Sequence, residues 1–101
     1  MATTTKALAR TALTTTTGTT LYTVPSATTT VISNIVLSNT AATSSTFTIA
    51  IDGVSLASAV SMPANSVTTI DLKQVLEATK TITGGASTTA VSIHISGVEI
   101  A

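Results

Sequence analysis

The chemistry open to this chain is bounded by one imidazole, His94, and four carboxylates, Asp52, Asp71, Glu77 and Glu99. Hydroxyls abound, so a Ser-His-Asp relay is arithmetically available. No Gly-x-Ser-x-Gly elbow exists, however, to lift a serine out of its surroundings. Metal binding calls for several His, Cys or clustered carboxylates at ligand spacing. Here the carboxylates are scattered and cysteine is absent. Gly84-Gly85 lacks the lysine and following helix of a phosphate-binding loop. The expectation is a protein without catalytic residues, metal, cofactor or small-molecule substrate, in which His94 faces solvent or a subunit interface.

Charge points the same way. Four basic and four acidic residues cancel, so the cationic footprint of a nucleic-acid binder is missing. No run approaches the roughly 18 apolar residues of a bilayer-spanning helix, and no basic-then-apolar leader opens the chain. A small chain with so few charges and a Ser/Thr/Ala surface is poorly protected against self-association. It suits a protein whose surface is covered by partners.

Composition dictates the elements that carry these residues. Of 101 residues, 25 are Thr and 18 are Ile or Val. β-branched side chains are stiff at χ1 and favour pleated sheet over helix. With one Phe, one Tyr and no Trp, the core must be thin and aliphatic. The expected class is all-β: an antiparallel β-sandwich of about eight strands, jelly-roll or Ig-like, preceded by an extended N-terminal arm.

Residues 1–18 form that arm, Thr-rich and of low complexity, part of it able to serve as an edge strand; residues 19–101 form the sandwich. Lys6 and Arg10 lie four apart, on one side of a strand or helix, and with Leu8 and Leu13 they are the arm's candidate partner-binding residues. Pro25 ends the first sandwich strand, which carries Tyr22. The stretch 31–38 is apolar on both faces, as in a central or covered strand, and Asn39 opens a polar turn. Phe47, Ile49 and Ile51 alternate with polar residues as a half-buried strand does. Asp52-Gly53 is a strong type I′ hairpin signal, with Val54, Leu56 and Val60 on the return strand.

Half of all charges fall in 71–80. Asp71 with Gln74 fits a capping box, and Leu72, Val75 and Leu76 have i, i+3, i+4 spacing, which predicts one helical turn or a tight corner. In the closing strand, Val91, Ile93 and Ile95 alternate with Ser92, His94 and Ser96. After Gly97 the apolar residues are Val98 and Ile100, out of phase by one. A bulge at Gly97 would return both sets to one core; without it, Glu99 points inward, which is costly unless it is paired. The strand runs to Ala101, leaving the arm as the expected extension for gripping a partner.

The order Thr20-Leu21-Tyr22-Thr23-Val24-Pro25, then Val31-Ile32-Ser33-Asn34-Ile35-Val36-Leu37-Ser38-Asn39-Thr40, then Ser96-Gly97-Val98-Glu99-Ile100 resembles the small β-sandwich virion proteins of tailed bacteriophages. The resemblance covers roughly residues 20–101. It implies a virion structural role, foremost a capsid decoration (cement) protein on the outer surface of the head. Such a protein would bind across major capsid protein subunits as a homotrimer. A tail, baseplate or fibre module is the alternative within that class. Of another class is a carbohydrate-binding host-recognition sandwich, whose stacking platform would have to be Tyr22 or Phe47.

Overall fold

The computed structural model describes residues 3–16 and 18–101. Met1, Ala2 and Thr17 of the expected arm lie outside the described residues. Eight strands follow one another: β1 (Thr3–Ala12), β2 (Thr20–Thr23), β3 (Thr29–Asn39), β4 (Ser45–Ile51), β5 (Val54–Met62), β6 (Ser66–Leu76), β7 (Thr81–Ala86) and β8 (Val91–Ile100). They form two four-stranded sheets, sheet A in the order β1-β8-β3-β6 and sheet B in the order β2-β7-β4-β5. Every pairing is antiparallel. β1 pairs with β8, β2 with β7, β3 with β6 and β4 with β5, so the chain is one long hairpin wrapped over itself. That is jelly-roll topology, which decides between the two sandwich expectations.

The alternation read from the sequence places the core. Ile32, Ile35, Leu37, Phe47, Ile49, Ile82, Ile93 and Ile95 are all buried between the sheets. Each stabilises the fold by about 1.5–3 kcal/mol relative to exposure. Asp52 and Gly53 both have positive φ, at 53° and 75°, as a type I′ turn between β4 and β5 requires. Pro25 follows β2 and ends it. Asn39, 1% exposed, ties two connections together. Its Nδ2 donates to the Thr43 and Pro63 carbonyls at 3.1 Å each, and its Oδ1 accepts from the Ala41 amide at 3.0 Å.

Three expectations are corrected. First, the expected edge strand within the arm is present and takes up all of residues 3–12 as β1 on β8, so this stretch does not stand off. Leu8, Ala9 and Leu13 enter the core, and the connection to β2 is tied to β7 by Ala86 N–H to the Thr14 carbonyl and Gly84 N–H to the Thr19 carbonyl, both 2.9 Å. The physical reason is that β8, apolar on its inner side, needs a second neighbour to satisfy its backbone. Second, residues 71–76 continue β6 as strand. Leu72 and Leu76 lie on its inner side and Val75 on its outer side, so the helical spacing was a coincidence of two strand faces.

Third, β8 runs straight through Gly97. The bulges lie in its neighbours instead, at Leu8 in β1 and Ser33 in β3. Gly97 takes the inner side, and Glu99 follows it there. The register break at Leu8 also separates Lys6 from Arg10. Lys6 sits opposite inward Gly97, whereas Arg10 sits opposite outward His94, so the two cations face opposite sides of the sheet.

Candidate assembly surfaces

Three features carry polar or apolar groups that the core does not explain. The first is the cluster built by inward Glu99. In sheet A, Thr4, Glu99, Thr30 and Leu76 form one row across β1, β8, β3 and β6. Tyr22 reaches this row from sheet B, its hydroxyl donating to Glu99 Oε2 at 2.5 Å. That hydroxyl has one proton, so the 2.9 Å contact with Thr30 Oγ1 is a bond donated by Thr30. Lys6 Nζ lies 3.5 Å from both Glu99 oxygens. Burial, then the adjacent carboxylate, pushes the Tyr22 hydroxyl above its ordinary range. The bond from Tyr22 holds Glu99 below the usual carboxylate range, against the pull of desolvation and with help from Lys6. The inward carboxylate is thus paired on both sides, which is what makes its position tolerable. This is a latch between the sheets.

The second feature is the outer face of sheet A. His94 lies between Arg10 on β1 and Val36 on β3. Ser33 Oγ donates to the Ser96 carbonyl at 3.0 Å where β3 bulges. The next outer row toward the Glu99 end reads Thr5, Val98, Val31, Val75.

The third feature was not foreseen. The five exposed large hydrophobics among the described residues are Val54, Leu56 and Val60 on β5 and Val67 and Val75 on β6, from 41% to 70% exposed. β5 and β6 are the edge strands of the two sheets and flank the same side of the sandwich. Between them opens a cleft of about 330 Å³ lined by Ile51, Val54 and Leu56 on one sheet and Gln74, Val75 and Leu76 on the other. β5 loses regular register at Leu56 and again around Ser58 and Ala59. Ala59 has φ of 50°, and its amide donates to Thr48 Oγ1 at 3.1 Å. Leu56 stands at one of these breaks, whereas Val54 and Val60 stay opposite Ile51 and buried Phe47 and are exposed because β5 is an edge strand.

The residues singled out for partner binding are therefore not brought together. Leu8 and Leu13 serve the core, at 8% and 1% exposed. Lys6 belongs to the latch, and Arg10 and His94 are neighbours on the outer face of sheet A. Tyr22 and Phe47, the chain's only aromatics, are both buried, so neither offers a stacking platform for a sugar.

No protein-family model and no curated protein matches the chain. Among solved structures it is similar to a pentameric capsid protein isolated from metagenomic phage sequences, at 17% identity and a TM-score of 0.31. The match covers 89% of this chain and 59% of that one, so the chain spans under two thirds of its neighbour's length.

Proposed function

We propose that the protein is a virion structural protein of a tailed bacteriophage, and specifically a capsid decoration protein that adds stabilising contacts across major capsid protein subunits. The observation that carries the structural-protein reading is the apolar β5/β6 edge. Val54, Leu56, Val60, Val67 and Val75 gather on one side of a long, narrow sandwich of 46 × 21 × 18 Å. An unpartnered apolar edge of this kind is a contact surface waiting to be covered. The resemblance of residues 20–101 to small phage virion proteins supplies the setting. Burial of such surface contributes roughly 25 cal/mol per Å² before association costs, and many weak copies on a lattice act together.

The test is copy number per particle, read from a stained gel of purified virions, followed by addition of the recombinant protein to particles lacking it. Hundreds of copies, together with a raised temperature of capsid disruption, are the expected result. A handful of copies per particle would move the protein to the connector, baseplate or fibre. Its absence from particles would refute the proposal.

A further inference from the structure

We infer that copies of this chain associate head to tail through sheet A, the β6 edge of one copy continuing onto the β1 edge of the next. The inference rests on the reading of the protein as an assembling subunit and names the partner of its open edge: a second copy.

The first argument is strand direction. Sheet A holds an even number of antiparallel strands, β1-β8-β3-β6. Its two edges therefore run in opposite directions. A second copy in the same orientation brings its β1 antiparallel to β6, so the ladder extends without turning the molecule over. Such a heterologous contact is the kind that closes into rings.

The second argument is edge quality. In sheet B, β2 has only 4 residues and β5 is twice irregular, which are the usual ways of blunting an edge. The edges of sheet A are longer, 10 residues in β1 and 11 in β6, and each carries one register break against the two of β5.

The third argument is what the rows bring together. Rows across the outer face run Ala12, Ser92, Ser38, Val67; then Arg10, His94, Val36, Thr69; then Thr5, Val98, Val31, Val75. Continued level into the next copy, they set exposed Val67 against Ala12 and exposed Val75 against Thr5. Arg10 then lies opposite Thr69 and diagonal to Asp71, within reach of a long side chain. Both charges on β1 are basic, and among the described residues neither Arg10 nor Asp71 has an ion-pair partner within its own chain. The Val67–Ala12 and Thr69–Arg10 pairs share one register, and the Val75–Thr5 pair follows after a one-residue step that falls where Leu8 breaks the alternation of β1.

The test uses the full chain, which contains no cysteine. Ala12→Cys and Val67→Cys, both at exposed positions, are prepared as separate proteins, mixed, and treated with a short bismaleimide. Covalent dimers should form in the mixture well above the yield of either protein alone. In sedimentation velocity, Arg10→Glu or Asp71→Arg should each weaken association roughly tenfold, and the two together should restore it. Equal cross-linking of Val67→Cys with itself would mean a two-fold β6-to-β6 contact and overturn the inference. So would a chain that remains monomeric up to about 1 mM. Failure here with hundreds of copies per virion leaves the virion reading standing. Success here with no protein in particles removes that reading alone.

Discussion

Replacing Gly97 by alanine adds one methyl group at the most crowded point of sheet A. A β-carbon there would overlap the Val31 carbonyl oxygen and sit 2.9 Å from Leu8 Cδ1 and 3.2 Å from Ile32 Cα. Leu8 can rotate away, but the other two neighbours are backbone, so β3 must shift from β8 where Ile32 pairs with Gly97. Overpacking of this kind costs about 1–3 kcal/mol. Alanine recovers roughly 0.5–1 kcal/mol because it is the better strand residue. The net loss, up to about 2.5 kcal/mol with a midpoint of about 1 kcal/mol, corresponds to a fall in Tm of roughly 4–8 °C at that midpoint for a domain of this size. Gly18→Ala is the control. A β-carbon there meets nothing within 4 Å, so no overpacking loss is expected and the change should stay within about 1 kcal/mol. Thermal melts followed by circular dichroism, with urea titrations to check that m is unchanged, measure both. A Gly97→Ala protein melting at or above wild type, with Gly18→Ala behaving as expected, would refute the close-approach argument.

The latch predicts pH dependence on both flanks. Glu99 lies below its ordinary value of 4.5 in the fold, so its contribution is complete above that value and is lost as pH falls through the folded one. Tyr22 lies above its ordinary 10.0, so its contribution is complete below that value and is lost as pH rises further. Tyr22→Phe should cost about 1 kcal/mol near neutrality, flatten the alkaline fall and shrink the acid one. An unchanged Tm-against-pH profile would count against the latch. Deleting residues 1–18 removes β1 with Leu8 and Leu13, each worth about 2–5 kcal/mol as a buried leucine. The truncated chain should show no cooperative melt, and a retained sharp transition would return residues 1–18 to the status of a detachable arm.

Strands with one face buried and one half-solvated were legible in the sequence, as at 47–51 and 91–96, because the pleat imposes a period of two on side-chain polarity. Of β1 only the capacity for an edge strand was legible, because a strand made of Thr, Ala and two charges has no such period, and the extra residue Leu8 breaks what remains. The phase slip at Gly97 was visible and its remedy was not. Alternation cannot tell whether the strand itself bulges or its neighbours do, and only the Tyr22 and Lys6 partners of Glu99 decide it. The apolar edge was hidden for a related reason. Val54, Leu56 and Val60 look like core residues until the strand order is known, because it is the place of β5 at the sheet edge that leaves them uncovered.

The central place of β8 in sheet A also sets an order in time. Residues 91–100 are made after every other strand, yet they separate β1 from β3. Until they emerge, β1 has no ladder to join, and the apolar inner sides of both neighbours stay open. At ribosomal rates of ~5–20 residues per second, an unfinished chain spends on the order of 5–20 s in that condition. Completion of sheet A thus waits for residues 91–100, as expected where pairings are non-local. Before that point β1 is not yet held in sheet A, so the β1 side of a subunit contact forms only after β8 is in place.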